Sequence, residues 1–406
     1  MCAGCPDAIL PGLLRPTPYG IARTFVPLGF ASALILSGAA AVAASPLSAC
    51  GQSPGHRFTW VEPAFCDLPA VGAERAHGVV IWSHGISGTT ESYLAPVPPV
   101  LRLLQVRGWD VVAVKRHNLA ETDAESSIAR AVARTLDEVR SRRAAGYRRI
   151  VLAGQSFGGH VALEAGDSNP DIFAVVAMAP GLRPKAAWGA LDPTVTERQL
   201  ARLRVDRVAL VLPSDDAVFG STARGPGARA VLDARRAAYF MVDESTDIRG
   251  HTGGMTGRFA LRYGECLAEF LAAPVVTPGR FACPPVTREA LLVQELAFSS
   301  PPPAPVRDAT RLPATVRPLT GWWYGLMGDT LVVFALVDDG GRRVAYRWVT
   351  SRVGGGVYDA TVRNGRVTVT MPRSSIEVGA SGDAVLITWT SIEDGRTRTV
   401  PLFRAD

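Results

Sequence analysis

The chain has 406 residues, 47 % of them hydrophobic and 20 % charged, which excludes global disorder and exceeds what one core of ordinary size holds, so two domains are expected. The formal charge of +6 is almost all arginine, Lys115 and Lys185 being the only lysines, and acidic residues lie between the basic ones. The densest basic run, Arg140 to Arg149, is short and carries a single aromatic, Tyr147. It reads as a solvated helix end, and no nucleic-acid partner is expected.

At the N-terminus, Arg15 and Arg23 precede an apolar run, Phe25 to Ala43, interrupted by Pro27, Gly29 and Gly38, and small residues follow in "AVAASPLSAC". Charged, then apolar, then small is the order of a secretory signal. Residues 1–49 are therefore expected to be a leader, and the mature protein to be periplasmic or secreted. Ala41-Val42-Ala43 suits an ordinary signal peptidase. Leu47-Ser48-Ala49-Cys50 resembles a lipobox, whose cysteine would carry lipid and hold the protein on a membrane, although Pro46 weakens that version. An uncleaved anchor is the third possibility, because the run is close to spanning length. Membrane contact is expected only in the last two cases. Beyond the leader four cysteines remain, Cys50, Cys66, Cys266 and Cys283, which allow three pairings. The nearest-neighbour scheme, Cys50–Cys66 and Cys266–Cys283, closes two short loops in an oxidising compartment. Lipidation of Cys50 would leave Cys66 unpaired. No C-x-x-C spacing survives after the leader and no histidine clusters near a cysteine, so neither zinc nor any other metal or organic cofactor is expected.

Between residues 50 and 285 short apolar runs alternate with helical patterns. Gly78 to Gly85, Trp109 to Val114, Arg148 to Gly154, Phe173 to Pro180, Asp206 to Pro213 and Ala237 to Val242 read as strands. Their apolar residues are continuous rather than alternating, which indicates burial on both faces, as in a parallel sheet. Glu125 to Ala145 carries Ile128, Val132, Leu136 and Val139 on one helix face, and Gly158 to Ala165 and Arg258 to Ala272 are further helices. The alternation predicts an α/β fold with a doubly wound, mostly parallel sheet, whose sites form at the carboxyl ends of the strands. Residues 286–318 include the proline-rich stretch from Ser299 to Pro318 and read as a semi-rigid linker. From Leu319 to Asp406 the pattern is all β: "TLVVFALV", "RRVAYRWVT", "GRVTVTMP" and "AVLITWT" are separated by turn residues, as in a small barrel or sandwich. This domain opens with "LTGWWYG". Trp322, Trp323 and Tyr324 could bind sugar or lipid, but sealing one end of a small β core is the preferred reading.

The chemistry concentrates in "VLAGQSFGGHVAL", Val151 to Leu163. A serine hydroxyl is a weak nucleophile unless a base takes its proton. A tight strand-to-helix turn pushes Oγ outward and aims the free amides of the helix start at a developing oxyanion. Such a turn tolerates no bulk two residues to either side, and Gly154-Gln155-Ser156-Phe157-Gly158 meets that demand. The glycine spacing fits neither G-x-G-x-x-G nor a P-loop.

With this elbow the stretch from about Gly78 to Ala272 resembles the α/β-hydrolase family of serine hydrolases, dienelactone hydrolases and esterases among them, and the β domain loosely resembles lipocalin-like barrels. The hydrolase resemblance implies a triad in the order Ser156, acid, histidine. His251, in "RGHTGG" after the last strand, matches the family's histidine position. The acid is expected in "SDDAVFG" after the strand Asp206 to Pro213, with Asp216 preferred and Asp215 as the neighbour one residue away. The oxyanion would be held by the backbone amides of Phe157 and of Ile86, the latter in His84-Gly85-Ile86-Ser87-Gly88, which resembles the family's H-G-x-x-G loop; His84 would shape that loop by hydrogen bonding. Lys115, Arg116 and His117 could receive an anionic substrate group, though solvated loop charges are the preferred reading. Gly181 to Leu203 lies where such hydrolases insert a cap and is short enough for a flap, with Trp188 a candidate pocket residue. The expected function is an exported serine hydrolase cleaving a carboxylic ester or related acyl bond in a small-molecule, lipid or glycan substrate. The competing expectation is a non-catalytic glycan- or lipid-binding protein on the same scaffold, which would have no need of all three triad residues.

Overall fold

The structure, a computed structural model, describes residues 61–87, 90–91, 95–116, 124–182, 194–219, 224–284, 289–298 and 303–405. The expected leader, Cys50, His117, Lys185 and Trp188 lie outside these residues. In chain order the first part contains β1 (Val61–Pro63), β2 (Val79–Ser83), the two-residue strands β3 (Ile86–Ser87) and β4 (Thr90–Glu91), α1 (Pro99–Val106), β5 (Asp110–Val114), α2 (Ala124–Ala144), β6 (Ile150–Gln155), α3 (Phe157–Ser168), β7 (Ala174–Met178), α4 (Val195–Arg202), β8 (Arg207–Val211), α5 (Gly225–Ala234), β9 (Ala238–Val242), α6 (Gly257–Ala272), β10 (Gly279–Arg280) and α7 (Glu289–Ala297).

Eight of these strands form one sheet in the order β1-β5-β2-β6-β7-β8-β9-β10. Only β1 is antiparallel, on β5; the other pairings are parallel. The six strands expected from continuous apolar runs are all present and buried along their length. Period 2 divides each between two layers. Val80 and Trp82 face the cluster built with α1, α6 and α7, while Val79 and Ile81 face the one built with α2 and α3. The chain steps from β2 to β5 on one side, then crosses back to β6 on the other side of β2. The carboxyl ends of β2 and β6 therefore flank the point where winding reverses, the usual crevice of such sheets.

The second part is β11 (Trp322–Met327), β12 (Thr330–Leu336), β13 (Arg343–Val349), β14 (Val353–Asp359), β15 (Thr361–Arg363), β16 (Arg366–Thr370), β17 (Ser374–Ser381), β18 (Ala384–Ser391) and β19 (Thr397–Arg404). These make a nine-stranded antiparallel sheet, β14-β13-β12-β11-β19-β18-β17-β16-β15, whose two edge strands are consecutive in the chain, so it curls into a nearly closed barrel. Its interior is filled by inward residues such as Phe334, Val344, Ile376, Val378 and Ile387.

Two expectations need correcting. Residues 286–318 are not a free spacer along their described length. Leu292, Val293 and Leu296 of α7 are buried against the α/β domain, and Val306, Leu312, Val316 and Leu319 are buried in the barrel core. The prolines disguised this, because they interrupt periodicity without preventing isolated apolar residues from capping a barrel end. Lys115 and Arg116 are buried, not solvated. Lys115 stands 3.9 Å from the buried carboxylate of Glu62.

The two domains share core. Leu331, Val333 and Ala335 on the outer face of β12 join the same apolar cluster as Phe259 and Leu267 of α6, which is why β12 reads as an unbroken apolar run. Trp322 belongs to that cluster too, its ring edge-on to Phe298 with centroids 5.0 Å apart. A Cβ on Gly257, at the start of α6, would lie 2.2 Å from the Val349 carbonyl oxygen, so helix and barrel meet backbone to backbone. Cys266 in α6 is disulfide-bonded to Cys283, as the nearest-neighbour scheme expects. Cys66 is also disulfide-bonded, and its expected partner Cys50 lies outside the described residues.

Candidate active site

Ser156 sits between β6 and α3 with φ 56° and ψ −122°, a backbone conformation that costs a non-glycine residue about 1–3 kcal/mol. The glycines explain how it is held. A Cβ on Gly154 would come within 2.2 Å of the Gly158 carbonyl oxygen, and one on Gly158 within 2.0 Å of the Ser83 carbonyl oxygen. The elbow is thus folded on itself and pressed against the end of β2. The Ser156 amide donates to the Met178 carbonyl at 2.9 Å, which ties the turn to β7.

The loop after β2 lies directly against the serine. A Cβ on Gly85 would be 3.1 Å from the Ser156 Cβ and 2.5 Å from the Gln155 Oε1. His84 shapes this loop. Its Nε2 accepts from the Arg116 amide at 3.1 Å, which leaves Nδ1 to donate to the Gly85 carbonyl at 2.8 Å. Burial, then the Arg116 charge, holds its pKa well below the ordinary histidine value, so the ring is a neutral spacer of fixed tautomer. The Arg116 guanidinium donates to the Ser83 hydroxyl and to the His84 carbonyl, and its Cζ lies 5.2 Å from the centre of the Phe157 ring. One buried cation therefore bonds to the loop that leads to Ile86 and packs on the ring of Phe157, the two residues expected to supply oxyanion donors. Sequence reading placed Arg116 in a solvated loop because nothing in "KRHN" reveals that β5 pairs with β2 and ends beside the His84 loop.

In the loops after β8 and β9, His251 Nδ1 lies 3.1 Å from each carboxylate oxygen of Asp216. The Val218 and Phe219 amides donate to the same carboxylate at 2.9 and 3.1 Å. Burial pushes the Asp216 carboxyl up, but the His251 bond and charge together with those two amides outweigh it and hold it below the ordinary range. Asp216 is thus an ionised acceptor at neutral pH. Asp215, by contrast, is exposed with φ 54° and faces Arg249 at 3.7 Å.

Three residues to which the sequence assigns no role complete the surroundings. The Phe219 ring meets the His251 ring edge-on, centroids 5.0 Å apart. Arg224 is buried 3.7 Å from Asp216 and donates to the Pro180 carbonyl at 2.7 Å. Gln155 donates from its side-chain amide to the His251 carbonyl at 3.2 Å, which links the elbow to the histidine loop. Gln155 lies in the elbow motif and Phe219 in the stretch after β8, but only the fold shows these contacts, and Arg224 belongs to no motif. Among the described residues, the hydrogen bonds of the His251 ring are those to Asp216, and none joins it to the Ser156 hydroxyl. Such a bond is often long before substrate binds. Ile86 is half-buried at the start of β3.

The histidine loop is also held from the barrel. Arg258, in the first turn of α6, donates from Nε at 3.1 Å and from Nη2 at 2.9 Å to the Gly328 carbonyl in the β11–β12 turn, and from Nη1 at 2.8 Å to Asp247. Asp247 stands four residues before His251. The other end of α6 is secured by Arg207, whose Nη1 caps the Phe270, Leu271 and Ala273 carbonyls at 3.0, 3.1 and 2.8 Å.

Residues 106–252, from the end of α1 to the histidine loop, match the Esterase family model. The mostly parallel sheet that carries this stretch is consistent with an α/β-hydrolase fold. No curated protein matches the chain. Similar solved structures include a Klebsiella pneumoniae protein described as a dienelactone hydrolase (16 % identity, 50 % of this chain and 90 % of that one, TM-score 0.37). Others are a Pyrococcus furiosus esterase (16 %, 48 % and 81 %, 0.36) and a Paleococcus ferrophilus monoacylglycerol lipase (14 %, 49 % and 95 %, 0.34).

Proposed function

We propose that the protein is an exported serine esterase, periplasmic or secreted, acting through Ser156, His251 and Asp216. The observation that carries this reading is the His251–Asp216 pair, whose histidine carbonyl is bonded by Gln155, the neighbour of Ser156 in the strained elbow. The Ser156 Oγ attacks the ester carbonyl while His251 Nε2 takes its proton. Asp216 accepts from Nδ1, fixing the tautomer and stabilising the imidazolium. The oxyanion is held by the Phe157 and Ile86 amides, a donor of this kind being worth about 2.7–4 kcal/mol. The imidazolium returns the proton to the departing alkoxide, leaving an acyl-serine. Water, deprotonated by His251, then attacks the acyl carbon, and the tetrahedral adduct expels Ser156 Oγ, which regains its proton as the carboxylic acid leaves. Export rests on the charged, apolar, small-residue order of the first 49 residues and on disulfide bonding at Cys66, Cys266 and Cys283.

Ser156→Ala should leave the circular-dichroism spectrum unchanged and reduce p-nitrophenyl ester turnover on the order of 10⁶-fold. A fluorophosphonate should label Ser156 once per chain. Turnover near wild type in the alanine variant would overturn the assignment.

A further inference from the structure

The barrel interior does not end flush with its rim. Following the inward register from deep to shallow, β12 runs Phe334, Val332, Thr330; β13 runs Val344, Tyr346, Trp348; and β18 runs Val385, Ile387, Trp389. The apolar core thus opens into a cavity of about 350 Å³, within the range of small-molecule sites. Val332, Tyr346 and Met371 form its floor and are themselves core residues. Two half-buried indoles, Trp348 and Trp389, form its walls. Trp348 is laid across bare backbone, since a Cβ on the facing Gly354 would be 2.4 Å from its Cε2, so this wall is held in place.

The charge at the mouth is not what a barrel end requires. On β19 the inward register that places Leu402 and Val400 in the core continues to Arg398 and Arg396. Arg398 is paired across the strand with Trp389. Its Nη1 lies 3.5 Å from where a Cβ on Gly328 would stand, so it reaches toward the β11–β12 turn. Arg396 is engaged by Asp394, whereas among the described residues Arg398 has no carboxylate partner. The lining residues include no acid, and the hydroxyls of Thr330, Thr350 and Ser374 add further donors.

From this arrangement we infer that the barrel mouth is a binding site for an organic carboxylate with an apolar body. The body enters between Trp348 and Trp389 onto the Val332–Met371 floor, and the carboxylate meets Arg398 at the rim. A carboxylate accepts charge-assisted bonds from guanidinium, while the indole faces and methionines supply dispersion and apolar burial. The acid half of an ester cleaved at Ser156 belongs to this class; that link rests on the esterase reading, whereas the binding does not.

The test uses the full chain labelled at Ser156 by a fluorophosphonate, or Ser156→Ala if no labelling occurs, so that failure of the esterase reading leaves the binding measurement intact. Sodium decanoate, below its micellar concentration, is titrated by calorimetry and by tryptophan fluorescence, with 1-decanol as the uncharged control. Saturable binding of one decanoate per chain is expected, at least tenfold weaker for decanol, at least tenfold weaker in Arg398→Gln, and weakened further in Trp389→Ala. Arg398 is exposed at the rim, so its variant folds even if the tryptophan variant does not. Absence of saturable binding, equal affinity for decanol, or decanoate affinity unchanged in Arg398→Gln would each overturn the inference.

Discussion

The α/β sheet and the barrel both lead from an apolar interior to a polar rim, but they reach it by different means. In the α/β domain each polar group comes from a loop beyond a strand end: His84 after β2, Arg116 after β5, Ser156 after β6, Asp216 after β8 and His251 after β9. In the barrel the polar rim is the inward register of the strands themselves, continued from Val400 to Arg398 and Arg396. Loops that must pass within van der Waals distance of one another require glycine, whereas a strand register requires nothing but alternation. The first kind of site therefore leaves a motif in the sequence and the second does not.

The sharpest way to break this contrast is to put a side chain where the elbow has none. In Gly158→Ala the new Cβ would stand 2.0 Å from the Ser83 carbonyl, so β2 and the elbow must separate. A displacement of about 1 Å at the reacting groups costs on the order of 100-fold in turnover. Ester hydrolysis should fall by at least that much, while decanoate binding at the barrel mouth, measured on the same preparation, is retained. Wild-type turnover in this variant would show that the close approach is not what shapes the site.

The next variant weakens the contact between the regions. Arg258 joins the Gly328 turn of the barrel to Asp247 in the histidine loop, and its hydrogen bonds together should contribute about 1–2 kcal/mol, discounted for partial exposure. Arg258→Ala is expected to lower kcat roughly tenfold, equivalent to about 1.4 kcal/mol, with KM little changed, because the residue orients His251 and touches no substrate. A fall in thermal stability with kcat intact would assign Arg258 to domain packing alone.

How legible each region was follows from the same distinction. The six central strands could be read because burial on both faces removes alternation, and the elbow could be read because Gly154 and Gly158 flank a serine at fixed distance. Asp216 and His251 could be proposed from chain order. Arg116, Arg224 and Phe219 could not, because they reach the crevice through tertiary packing and carry no local pattern. α7 was hidden by the prolines that follow it. β12 was legible as a strand but not as an interface; its unbroken apolar run marks a second covered face, which here is α6. The Arg396 and Arg398 rim looks like surface charge until the register of β19 is known.

A milder perturbation separates the domains through acid. The chain has six histidines and none lies beyond His251, so the barrel contributes no histidine titration. Two buried histidines of the α/β domain have folded pKa values below the ordinary 6.5. Burial, with Arg116 nearby, lowers that of His84, and burial, only partly offset by Glu164, lowers that of His160 to about 4. Above pH 6.5 neither folded nor unfolded chain binds these protons, and stability is unaffected. As the pH falls below 6.5 the unfolded chain takes up protons that the folded one refuses, so stability declines down to the folded pKa, near 4 for His160. Hydrogen exchange compared at pH 7.5 and pH 5, corrected for the intrinsic rates, should then show lost protection in α3 and around the end of β2, with β12 and β17 little altered. His160→Gln should remove part of the loss in α3, since glutamine does not titrate. Equal loss in both regions would mean that the shared core formed by α6 and β12 makes the two domains open as one, and the contrast drawn here would hold for geometry but not for stability.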